Sequence, residues 1–107
     1  MLRFMRIEYT FDVAKVEEMG YTLKQVYDSV KGYYAERNLR CVSDDEVLAF
    51  EGTGHKDDYS NMLWLMSRIT KTEWFINCAT SCTWYENGRR EHLLDKARMR
   101  YFERKRA

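Results

Sequence analysis

The run Arg6-Ile7-Glu8-Tyr9-Thr10-Phe11, closed by Asp12, is the stretch on which the fold turns. Ile7, Tyr9 and Phe11 share one parity and Arg6, Glu8 and Thr10 the other. That alternation predicts a strand with one buried face. Downstream, Thr22 and Gln25 have the spacing of a capping box, in which two side chains satisfy free backbone N–H groups at a helix start. Leu23, Val26, Tyr27, Val30 and Tyr34 then recur at three- and four-residue steps, forming one apolar helical stripe. Gly32 costs this helix about 1 kcal/mol relative to alanine, and Asn38 is its stop.

Beyond Asn38, Leu39–Val42 and Glu46–Glu51 are short runs around Ser43-Asp44-Asp45, residues that favour turns because their side chains bond nearby backbone groups. They predict a hairpin ended by Gly52-Thr53-Gly54. A second helix begins near Asp57 or Asp58, whose charge suits a helix N-terminus, and closes at Lys71-Thr72. Its Tyr59, Met62, Leu63, Met66 and Ile69 face one way, with Trp64 and Leu65 broadening the apolar surface. Trp74–Tyr85 predicts one long strand, with Trp74, Ile76, Cys78, Cys82 and Trp84 on one parity. Asn87-Gly88 is a turn signal. Arg89–Arg106 predicts a basic amphipathic helix with Leu93, Leu94, Ala97, Tyr101 and Phe102 inward.

The order is therefore βαββαβ plus a C-terminal helix, an α+β pattern expected to fold as a ferredoxin-like antiparallel sheet with helices on one face. The open face of that sheet is expected to carry exposed apolar residues, covered by the C-terminal helix or by a second subunit.

The 107 residues read as one domain over 1–107, with a basic C-terminal helix over 89–107. Hydrophobic residues are 45% and aromatics 15%. A chain of this size buries about two-thirds of its extended surface, so it folds without a metal or disulfide staple. The net charge is only +1, but it is unevenly divided. The segment from Arg89 to the end carries eight basic and three acidic residues, +5, against −4 elsewhere. Such a split fits either a polyanionic or acidic partner or a solvated helix face. An odd cysteine count (Cys41, Cys78, Cys82) without a signal peptide predicts reduced thiols in a cytoplasmic protein. No stretch nears the ~20 apolar residues of a membrane span, and the absence of proline argues against a rigid linker.

In the expected topology the first strand is central and antiparallel to the third, so Asp12 comes beside Ser43, Asp44, Asp45 and Glu46. Carboxylates at one sheet edge can hold a hard divalent cation such as Mg2+, here through Asp12 and Asp45. Alternatively, mutual repulsion raises one pKa and gives a base for a ribose hydroxyl. The plainer reading is that Asp12 caps the following turn and the other acids are solvated. His55, in a glycine-flanked loop, can act as a general acid or base or simply be exposed; His92 is given no role. Cys78 and Cys82 lie about 13 Å apart along a strand, too far for a disulfide or shared metal. Trp74, Phe75, Trp84 and Tyr85 could stack bases or pack a core. No phosphate-binding glycine loop is present.

Three short motifs resemble the VapD (virulence-associated protein D) family. Phe11-Asp12-Val13 resembles its Phe-Asp-Leu at the end of strand one. Asp58-Tyr59-Ser60-Asn61 resembles its Asp-x-x-Asn helix opening, and Trp74-Phe75 its Trp-Phe after that helix. The resemblance spans roughly residues 6–84. It implies a modified ferredoxin-like fold, dimers and endoribonuclease activity, with Asp12 the principal catalytic carboxylate and Ser43 in a turn where the family often has Gly-Ser. Here that turn has no glycine, and Thr80-Ser81 stands where the family often has Arg-Asp. Three functions follow as expectations. The first is an endoribonuclease acting on single-stranded RNA through Asp12, with Ser43, Asp44, Asp45 and His55 around it and Arg89, Arg90, Lys96, Arg98 and Arg100 holding the backbone. The second is a non-catalytic RNA- or protein-binding module, such as a toxin–antitoxin or mobile-element component with an antitoxin-like partner. The third is a homodimeric scaffold.

Overall fold

The computed structural model describes residues 4–106. Strand β1 (Met5–Phe11) is the centre of a five-stranded antiparallel sheet among the described residues, in the order β2-β3-β1-β4-β5. Met5, Ile7 and Tyr9 are buried on one face while Arg6, Glu8 and Thr10 lie on the other. The expected α+β, ferredoxin-like arrangement is thus present, with additions. Its frame is β1, α2 (Leu23–Glu36), β2 (Arg40–Asp44), β3 (Leu48–Glu51), α3 (Asp58–Ile69) and β4 (Ala79–Glu86). The additions are two short helices, α1 (Val13–Glu18) and α4 (Glu73–Cys78), then β5 (Arg89–His92) and α5 (Leu94–Arg106).

The capping box at α2 forms in full. Gln25 N–H donates to Thr22 Oγ1 at 3.1 Å, and Thr22 N–H donates to Gln25 Oε1 at 2.9 Å. Val26, Tyr27, Val30 and Tyr34 are its buried stripe. Asn38, with φ of 60°, turns the chain into β2; asparagine tolerates this left-handed region better than most residues. At the core, Tyr34 stacks on Phe50 with centroids 3.9 Å apart, and its hydroxyl shares a 2.6 Å hydrogen bond with that of Tyr9. Burial pushes both phenols well above the ordinary tyrosine range. Leu94 and Tyr101 of α5 join the same core.

Three sequence expectations are corrected. Trp74–Tyr85 is not one strand: residues 73–78 form α4, whose Phe75, Ile76 and Cys78 turn inward, and only Ala79–Glu86 is extended. Six residues are too few to separate period two from period 3.6, so the parity of Trp74, Ile76 and Cys78 is coincidental. The basic helix does not start at Arg89. Asn87 and Gly88, at φ of 49° and 84°, make a tight turn with both central residues left-handed, the geometry that hairpins favour. Arg89–His92 therefore pairs with β4 before α5 begins. Finally, the open face is not apolar. Arg6 bridges Glu8 at 2.6 Å and Glu51 at 2.8 Å, Tyr85 hydroxyl donates to Glu8 at 3.3 Å, and Thr10 lies 2.6 Å from Thr80 and Ser81 hydroxyls. This face satisfies its own polar groups, and it gives no reason for a helix or second subunit to cover it. Among the described residues, no helix is long and apolar enough to cross a membrane.

Candidate nucleic-acid interface

The end of β1 and the β2–β3 connection do meet at one sheet edge. Tyr9 pairs with Leu48, so the residues past Phe11 run level with the hairpin tip. Tyr27 spans the gap: its ring lies 6.2 Å from Phe11, and its hydroxyl donates to the Asp45 carbonyl at 2.8 Å. The carboxylates there, however, serve local partners. Asp12 caps α1, accepting from Lys15 N–H at 3.3 Å, while its own N–H donates to the Cys78 carbonyl at 2.8 Å. Asp44 is ion-paired with Lys31. Asp45 accepts from Ser43 Oγ at 3.1 Å. The Ser43 hydroxyl, with the backbone N–H groups of Glu46 and Val47, holds the Asp45 carboxyl below its usual range. That is opposite to the raised pKa expected of a base. Among the described residues no three His, Cys, Asp or Glu side chains cluster as a metal site would. The donor set does not fit a resident Mg2+ held by Asp12 and Asp45.

His55 does not join Asp12. It sits in the loop after β3, where Gly52 N–H donates to the Met5 carbonyl. That is the start of β1, about 20 Å of strand away from Asp12. The loop is organised by Asp58, which is only 3% exposed. Its Oδ2 accepts N–H bonds from Thr53, Gly54 and His55 at 2.7, 2.8 and 3.0 Å. A Cβ at Gly52 would come within 2.9 Å of the same oxygen, so the loop closes only over glycine.

The basic segment gives a different picture. A groove runs between α3 on one side and β5 with α5 on the other, as two adjoining depressions of about 240 and 210 Å3 that share Met66, Glu91 and Leu93. Tyr59, Leu63, Met66 and Leu93 make its apolar floor, the Tyr59 and Trp84 rings meet in a T-shaped contact with centroids 6.2 Å apart, and Glu86 and Glu91 also line it. Arg89 and Arg90 stand at one end; Lys71, Lys96, Arg100 and Arg104 stand at the other. Lys96 pairs with Glu91 at 2.9 Å. Among the described residues, no ion pair engages Lys71, Arg89, Arg90, Arg100 or Arg104.

Of the five basic residues singled out from sequence, Arg89, Arg90, Lys96 and Arg100 border this groove. Arg98 does not: its guanidinium turns inward and donates to the carbonyls of Ile76 (3.2 Å) and Ala79 (2.8 Å), closing the end of α4. The aromatic platform is also different from the one expected. Phe75 is in the core and Trp84 is mostly buried, while Tyr85 belongs to the polar face. Cys78 and Cys82 are buried free thiols and Cys41 is exposed; burial pushes the Cys82 thiol up to about 12.

Sequence reasoning missed Arg104 and Lys71. A signal existed for the first: Lys96, Arg100 and Arg104 are four residues apart, which puts them on one helix face. Lys71 comes from another element, and no local pattern links it to them. No family model, curated protein or solved structure matches the chain.

Proposed function

We propose that this protein binds single-stranded RNA along the groove between α3 and α5. The observation that carries the reading is that Lys71, Arg89, Arg90, Arg100 and Arg104, which no ion pair engages among the described residues, stand beside an apolar, partly aromatic floor. Cations along a rim hold successive phosphates, while unpaired bases can lie against apolar and aromatic surface. A duplex hides its bases and gains nothing from such a floor. Titrating the protein with a labelled single-stranded oligoribonucleotide at several salt concentrations tests the reading. Affinity should fall steeply with salt, with a log–log slope of about −0.7 per phosphate contacted, and single strands should bind more tightly than duplex RNA. Equal affinity for polyphosphate or an acidic polypeptide would make the groove a general anion surface instead.

A second reading, endoribonuclease activity of the VapD kind, is supported by one observation. Asp12 follows the central strand, half-buried, and its carboxylate accepts a single long bond of 3.3 Å from Lys15. Incubation with RNA should then give cleavage that Asp12→Asn abolishes; products formed equally by wild type and variant would remove Asp12 from any mechanism.

A further inference from the structure

A cavity of about 440 Å3 lies between the start and outer stripe of α2 and the first turn of α4. Its wall includes three aromatic rings, Tyr21, Tyr33 and Trp74, and the polar side chains of Gln25, Asp28 and Ser29. Tyr21 and Tyr33 are 50% and 39% exposed, outside the core, although each carries a ring that folding would favour burying. Trp74 packs one way against Phe11 and Phe75. Among the described residues no two of the three rings touch each other, so they line the space rather than fill it. The polar groups keep spare capacity. Gln25 uses Oε1 in the capping box, leaving its NH2 as donor. Asp28 engages Lys24 through Oδ2 at 2.6 Å, leaving Oδ1 as acceptor.

Rings with a carboxylate also suit an ammonium group, but a cage for one cation must close tightly round it. This space is in the size range of pockets for small organic molecules. A flat, polar-edged ring fits better: its faces meet Tyr21, Tyr33 or Trp74, and its edge meets Asp28. Among the nucleobases guanine presents two adjacent N–H donors on its pairing edge, which one carboxylate can accept together, here through Oδ1 and the second lone pair of the Oδ2 that already accepts from Lys24. The cavity is also close to the groove. Lys71 lines the groove and Trp74 lines the cavity, and, three positions apart, their Cα atoms are separated by at most about 11 Å. One RNA strand can therefore occupy both.

We propose that this cavity is a base-binding subsite for the guanine of a ribonucleotide. The inference rests on the RNA reading above and adds which part of the RNA is read. Calorimetric titration with guanosine 5′-monophosphate and the other three mononucleotides tests it on wild type, Tyr21→Ala/Tyr33→Ala and Asp28→Asn, all three substituted side chains being exposed. Wild type should bind guanosine monophosphate about tenfold tighter than the others. The tyrosine pair should weaken all four by about tenfold or more at unchanged melting temperature. Asp28→Asn should erase the guanine preference and keep the weaker binding. No binding at millimolar nucleotide, undiminished binding by the tyrosine variant, or tetramethylammonium taking the nucleotide's place would each overturn the subsite. The two readings fail separately. Mononucleotide binding without oligoribonucleotide binding removes the groove and keeps the subsite, whereas oligoribonucleotide binding with no base preference removes only the subsite.

Discussion

At the β2–β3 tip, Asp44 is held by Lys31, Asp45 by Ser43, and Asp12 by the first turn of α1. Along β5 and α5, Arg89, Arg100 and Arg104 have no ion-pair partner among the described residues and border an apolar groove. Both regions are rich in charge, yet only in the second do several cations stand without an ion-pair partner among the described residues. Charged side chains that meet local backbone or side-chain groups shape turns and caps. Cations that no ion pair engages keep more of their field for something outside the chain. Counting acidic residues at a sheet edge therefore says little about chemistry until their partners are known.

Substitutions in either region separate engaged from free charge. The largest effect belongs to Asp58, the charge most deeply engaged. Asp58→Ala leaves the N–H groups of Thr53, Gly54 and His55 without their acceptor and should lower stability by about 3 kcal/mol in urea unfolding; a loss under about 1 kcal/mol would mean the loop closes without it. Next is Arg98, the one cation of the basic segment turned inward. Arg98→Ala should cost about 2 kcal/mol, because the Ile76 and Ala79 carbonyls lose a charged donor, while the salt slope for RNA stays unchanged. A lower slope with full stability would return Arg98 to the groove. The smallest effect is at the tip. Asp45 has a depressed pKa, so its contribution is present above the unfolded value near 3.8 and is lost as pH falls through the folded value. Asp45→Asn should melt slightly below wild type at neutral pH and together with it in strong acid; a difference that persists in acid would point to packing.

The sheet was readable because burial leaves a pattern. β1 alternates over its length, and Thr22 and Gln25 mark the start of α2 through bonds made within four residues. The order of elements then yields the topology. What stayed hidden depended on partners distant in sequence. Arg89–His92 is wholly polar and shows no strand pattern, because pairing to β4 rather than burial makes it extended, although the Asn-Gly pair before it is a hairpin signal. The α4 helix is too short to show a period. Asp12 could be brought to the tip from topology alone, yet nothing in the sequence tells that Lys31 meets Asp44 or that Arg98 reaches Ile76. The groove was half legible, since Lys96, Arg100 and Arg104 share a face, while its opposite wall and Lys71 come from α3 and the turn after it.

The most direct measurement compares RNA affinity across salt for wild type, for Arg89→Gln/Arg100→Gln/Arg104→Gln, and for Asp44→Asn/Asp45→Asn. The groove variant should lose on the order of 100-fold in affinity at low salt, its log–log slope should shrink by about 2, and the tip variant should bind as wild type does. An unchanged slope in the groove variant, or a loss confined to the tip variant, would contradict binding along the groove.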